Sequence, residues 1–162
     1  MALVFSLMLA GCAVGDTTRS PGDGPGAFSG PPANATEWVE QADWSRAEEL
    51  TLRIRQNRFD PLVLTLREGQ PYVLTLVNGD DVDHSFYAPH LFEAIAVRSL
   101  SGAGQPVTPE TGLVAVGMPA GASRELAFVT VRDGRYEFSD GGLNLFAFGN
   151  TGVVVIEWAG QR

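Results

Sequence analysis

The chain has 162 residues, with 19 Asp and Glu against 11 Lys and Arg, for a formal net charge of −8. That length suits one domain with a tail and can bury a core without covalent staples. The single cysteine excludes an internal disulfide framework and a multi-cysteine zinc site. Every basic residue is an arginine and none lie in a run, so no nucleic-acid partner is expected.

The first ten residues, Met1 to Ala10, are apolar and uncharged. They make about half of the roughly 20 residues a spanning helix needs, and match the roughly 7–15 of an export-signal core. Leu9-Ala10-Gly11-Cys12 follows and resembles the bacterial lipobox. The resemblance implies cleavage before Cys12 and acylation of its thiol and new amino group, with the only thiol of the chain as lipid acceptor. No Lys or Arg precedes the apolar run, so the positive n-region of such a signal is expected upstream of Met1. Residues 1–12 are therefore read as signal peptide and lipobox. Residues 13–35 are rich in Gly, Pro, Ser and Thr and read as a flexible tether spanning roughly 25–30 Å. Residues 36–162 form the domain.

In the domain the dominant hydrophobic period is two, the period of a half-buried strand. Glu37 to Leu50, with Trp38 and Trp44, reads as an amphipathic lead-in that packs on the domain. Leu50, Leu52 and Ile54 alternate with Thr51, Arg53 and Arg55. Pro61 breaks the chain before Val63–Leu66. Tyr72–Val77 is a strand ended by the turn cluster Asn78-Gly79-Asp80-Asp81. Ser85–Tyr87, Leu113–Val116, Arg124–Val129, Tyr136–Phe138 and Val153–Trp158 complete the set. Leu91–Leu100 fits either a helical turn or an irregular strand. About eight short strands with regular turns predict an all-β fold, a Greek-key β-sandwich or barrel.

Four patterns then occur in order: Phe59-Asp60-Pro61; Leu66 to Asn78 with its Glu68-Gly69-Gln70 turn; Asp83-His84-Ser85-Phe86; and Met118-Pro119-Ala120-Gly121, with Tyr136-Glu137-Phe138 after Asp133-Gly134. This order resembles the cupredoxins, the blue-copper sandwiches of the plastocyanin and azurin type, over Leu50 to Glu157. The resemblance implies a cupredoxin-like sandwich with its functional end at His84, which stands where the first copper-binding histidine is expected. By the same resemblance the family's Cys position falls on Asp140, its second His on Leu145 and its axial Met on Asn150. A blue-copper centre needs a thiolate and two imidazoles, and the only thiol here is Cys12. No type 1 copper is therefore expected.

The remaining candidates are few. His84 with Asp140, joined by Glu93 or His90, is the one constellation suited to a divalent transition metal. No cofactor is expected, and copper held by His84 and Asp140 is the alternative. Asp80, Asp81 and Asp83 lack the spacing of a calcium loop and read as a solvated acidic turn. Ser139-Asp140 beside His84 lacks a nucleophile elbow and a visible oxyanion hole, so no enzyme is expected. The apolar loop with Leu143, Leu145, Phe146 and Phe148 occupies the end where the family holds copper. The resemblance implies that this end docks partners, which makes Leu143, Phe146 and Phe148 candidate contacts for an envelope protein; the other reading folds them inward as a plug. The expected function is a membrane-anchored binding or assembly module of the bacterial envelope. The alternative is a periplasmic copper-binding or electron-transfer-associated protein with a different site around His84.

Expressed with an upstream signal, the protein should partition into detergent, and Cys12→Ser should release or mislocalise it. An unmodified Cys12 thiol in the mature envelope protein would refute lipidation.

Overall fold

The computed structural model describes residues 29–102, 108–141 and 151–160. The leader, Cys12 and most of the tether lie outside them, as do Leu143, Leu145, Phe146, Phe148 and Asn150. Ten strands are described: β1 Glu48–Arg55, β2 Arg58–Asp60, β3 Val63–Arg67, β4 Pro71–Asn78, β5 His84–Tyr87, β6 Ile95–Leu100, β7 Ala115–Met118, β8 Ser123–Thr130, β9 Gly134–Ser139 and β10 Thr151–Glu157. Two short helices are α1 Ala35–Gln41 and α2 Pro89–Phe92. Among the described residues no helix is long and apolar enough to cross a membrane.

The strands form two five-stranded sheets, ordered β2-β1-β4-β8-β6 and β3-β10-β9-β5-β7. From β3 to β9 each strand lies in the opposite sheet from the one before it, so the chain repeatedly crosses over the core. Two pairings are parallel, β1 with β4 and β3 with β10; the others are antiparallel. The alternation read from the sequence is the burial pattern observed. Leu52 and Ile54 of β1, Leu64 and Leu66 of β3, and Leu74 and Leu76 of β4 all point into one core shared by the sheets.

Aromatic rings bridge the two layers. Phe59 of β2 meets Phe138 of β9 edge-on, with centroids 5.1 Å apart, and Phe138 meets Phe86 of β5 at 5.2 Å. Rings in these arrangements add directional attraction to the area they bury. At the far end Tyr72 stacks on Phe128, and its hydroxyl accepts a hydrogen bond from the Arg67 backbone N–H at 2.9 Å. Burial raises the Tyr72 phenol above its ordinary value.

The lead-in packs as expected. Ala35, Val39, Ala42 and Trp44 cover Ala96 of β6 and Val129 of β8 on the outer face of the first sheet. Trp44 donates its indole N–H to the Val39 carbonyl at 2.9 Å, and the Arg98 guanidinium lies 4.3 Å from the centre of its ring. Ala35, the last residue assigned to the tether, is buried and opens α1.

Some elements differ from expectation. The strand predicted at Leu113–Val116 runs instead from Ala115 to Met118, because its pairing with β5 begins at the Tyr87–Ala115 pair. Leu91–Leu100 divides in two: Pro89 starts a helical turn, and Ile95 begins β6. β2 was not predicted. It forms because Gln56 and Asn57 both take positive φ, 52° and 56°, and close a two-residue hairpin that sets Arg55 opposite Arg58. Such turns usually carry Asn-Gly or Asp-Gly, and this one has no glycine.

Candidate functional site

The loop from Asn78 to His84 closes one end of the sandwich, and a polar network holds it. Asn78 ends β4 and is buried. Its side-chain amide donates to the carbonyls of Val82 at 2.7 Å, Met118 at 2.9 Å and Pro119 at 3.1 Å. Its oxygen accepts from the Asp80 N–H at 2.9 Å. Gly79 donates to the Ile54 carbonyl and Gly121 to that of Asp80, and the Asp83 carboxylate accepts from the Ala120 N–H at 2.9 Å. One loop is thereby tied to β1 and to the β7–β8 turn.

His84 sits at the centre. It begins β5 directly opposite Met118 of β7, and its side chain is 3% exposed. Nδ1 lies 2.7 Å from Oδ2 of Asp140, and Nε2 lies 3.1 Å from Oδ2 of Asp80. Each ring nitrogen thus has a carboxylate oxygen within hydrogen-bond distance. Asp140 also accepts from the Ser85 backbone N–H, at 2.9 Å through Oδ1. Asp80 accepts from two further backbone donors, Gln56 at 2.6 Å through Oδ1 and Asn57 at 2.9 Å through Oδ2. Those N–H groups, that of Asn57 foremost, hold the Asp80 carboxyl below its ordinary value, with His84 contributing less. The strained hairpin turn and the buried histidine therefore share one carboxylate.

The structure thus brings together His84 and Asp140 of the expected constellation, and adds Asp80. It does not bring in the other two: His90 is exposed, and its Nδ1 lies 3.5 Å from Glu93 Oε2 on and beside α2. The two carboxylates at His84 face opposite nitrogens of one ring and so do not converge on a common point. Among the described residues no group of three or more His, Cys, Asp or Glu is placed to hold a metal ion. The expected solvated acidic turn is corrected at Asp80 alone: Asp81 and Asp83 are exposed, whereas Asp80 is half-buried against the Gln56 and Asn57 N–H groups and His84. The signal available in the sequence was the spacing of Asp80 and His84, four residues apart across a turn.

Comparison with solved structures agrees with this architecture. A multi-copper oxidase from Pseudomonas thermotolerans superposes with a TM-score of 0.52 at 16% identity, covering 72% of this chain and 31% of that one. The McoA multicopper oxidase of Aquifex aeolicus superposes at 0.51 and 11% identity, covering 68% and 29%. The fold is cupredoxin-like. The chain spans less than a third of either oxidase, so the likeness extends to this fold alone. Auracyanin B aligns over 90% of its own length and 69% of this chain, at 18% identity and a TM-score of 0.48. No family model and no curated protein sequence matches the chain.

Two outcomes follow for this cupredoxin-like end. Asp140→Ala should cost about 1–3 kcal/mol in denaturant unfolding, because His84 Nδ1 and the Ser85 N–H lose their acceptor. The depressed Asp80 carboxyl contributes stability that is fully present above the ordinary aspartate value of 3.8 and is lost as pH falls through the lower folded value. Asp80→Asn should lower the urea midpoint at neutral pH and flatten its fall on the acid side.

Proposed function

We propose that this chain is a lipid-anchored, cupredoxin-like protein of the bacterial envelope that lacks type 1 copper and acts as a binding or assembly module. The observation that carries the reading is Asp140. It occupies the position that the family resemblance assigns to the thiolate, and it is hydrogen-bonded to the one histidine at that end. A type 1 centre needs a thiolate and two imidazoles converging on one ion, with a weak axial ligand. The described donors do not fit it: one imidazole has a carboxylate on each side, and the only cysteine is Cys12.

Catalysis finds no support in the same geometry. An Asp–His pair serves a nucleophile when the second ring nitrogen faces a hydroxyl or thiol. Here that nitrogen faces Asp80, whose oxygens already serve a backbone turn. Binding through loops is the more economical use of a rigid sandwich end. Asp140 stands at this end, and Leu143, Phe146 and Phe148 follow it in the sequence. The export and membrane anchoring rest on Leu9-Ala10-Gly11-Cys12.

The alternative, a metal at His84, draws on Asp80 and Asp140 beside one imidazole. An ion there would have to take a ring nitrogen from a carboxylate. Purified protein loaded with copper or zinc should melt cooperatively, at a temperature that chelator leaves unchanged, and without a thiolate-to-copper absorption band. A melting temperature that falls on chelation would favour the alternative, since a bound ion stabilises the folded state by mass action.

The loop is tested separately. Phe146→Ala and Phe148→Ala should leave stability within about 0.5 kcal/mol and abolish capture of an envelope partner. A loss of about 3–5 kcal/mol would instead make the loop a plug of the core.

A further inference from the structure

A second chemistry is gathered on the β1–β2 hairpin, beside the end just described. Arg53 and Arg55 alternate with the buried Leu52 and Ile54, so both stand on the outer face of the first sheet. The hairpin register sets Arg58 directly opposite Arg55, and Asp60 directly opposite Arg53. Residues directly opposed on an antiparallel ladder share a face. Three of the chain's eleven cationic residues therefore share one small area, on the edge strand and its neighbour. All three are exposed, and they line a groove of about 590 Å³ with Gln56, Asp60 and Leu62.

The arrangement is unfavourable without a ligand. Like charges directly opposed across a ladder destabilise it. The chain carries 19 acidic residues. Yet among the described residues no carboxylate lies within 4.0 Å of Arg53, Arg55 or Arg58, and their guanidinium groups make no hydrogen bond. Asp60, opposite Arg53, does not close on it. Three guanidinium charges against this one carboxylate leave the lining of the groove two positive.

The hairpin is also held in place before any ligand arrives. Asp80 fixes the Gln56–Asn57 turn through both backbone N–H groups, so the spacing of Arg55 and Arg58 depends on a pinned turn and not on a free loop. A preorganised site loses less on ordering when it binds. Guanidinium forks match the oxygens of phosphate in geometry, both in inorganic phosphate and in the singly charged diester of a lipid headgroup. We propose that Arg53, Arg55 and Arg58 form a binding site for a phosphate group, free or on a lipid headgroup. The Gln56 and Asn57 N–H groups are taken by Asp80, so the arginines alone would hold the phosphate oxygens.

The test uses the full chain with Cys12→Ser, so that no acyl chain contributes to binding. Titration with inorganic phosphate, followed by calorimetry, should give saturable binding that weakens with added sodium chloride, as exposed charge pairs do. A parallel arm measures sedimentation with vesicles of phosphatidylglycerol against vesicles of phosphatidylcholine. Binding of inorganic phosphate identifies a free phosphate ligand. Binding only to the phosphatidylglycerol vesicles identifies the headgroup. In either case Arg55→Gln with Arg58→Gln should weaken binding by about tenfold or more. Arg53→Gln alone should weaken it less, and melts without phosphate confirm that each variant is folded. The proposal is overturned if neither phosphate nor anionic vesicles bind, or if the folded double variant binds as well as the parent chain.

Discussion

A buried imidazole must satisfy two nitrogens, and in this molecule that requirement organises a whole end of the sandwich. Through the core the two sheets are held by apolar side chains and ring contacts, which need only volume and shape. At the His84 end the contacts become directional. Asp140 approaches from the end of β9 and Asp80 from the loop after β4. Asp80 in turn holds the β1–β2 turn, so an edge hairpin of one sheet is joined through a single carboxylate to a strand of the other. Removing either carboxylate would leave a buried or half-buried donor without its acceptor, which costs more than a hydrogen bond contributes on average.

The same constraint bears on the chemistry open to this end. A thiolate beside His84 would be a soft, polarisable donor suited to copper. A carboxylate in its place is a hard acceptor that binds the imidazole directly, and a second carboxylate occupies the other nitrogen. In three dimensions His84 and Asp140 belong to a hydrogen-bond chain that also includes Asp80. The outer face of the adjacent hairpin contrasts with it. There three arginines stand with no carboxylate partner among the described residues, and the chain as a whole is acidic. One polar group of residues is satisfied from within, while the other offers its charges outward.

Much of the fold was legible because strand burial obeys a strict period of two. Leu52 and Ile54, Leu64 and Leu66, and Leu74 and Leu76 each mark their inward face in the sequence itself. The pairing of His84 with Asp140 was legible through family spacing, which places two distant segments at the same end. Asp80 was not distinguished from Asp81 and Asp83, because three acidic residues in one turn have the same composition and differ only in what they face. The β1–β2 hairpin was missed for a related reason. Its turn is made by Gln56 and Asn57, and their positive φ is stabilised by a carboxylate 24 and 23 residues away, which no local rule detects.

By itself the amino-acid order determined the all-β class, the inward face of most strands, the acidic balance and the lone thiol at Cys12. Each is a local or compositional property, set by side-chain chemistry and by a period that does not depend on neighbours. Only the tertiary structure decided the parallel pairing of β1 with β4 and of β3 with β10, and with it the order of strands across each sheet. It alone decided that Asp80 meets the ring of His84, and that Arg55 stands opposite Arg58 in a chain with no basic run. These are distances between residues that the backbone carries apart and the core brings back, so they follow from the packing of the two sheets and not from any segment alone.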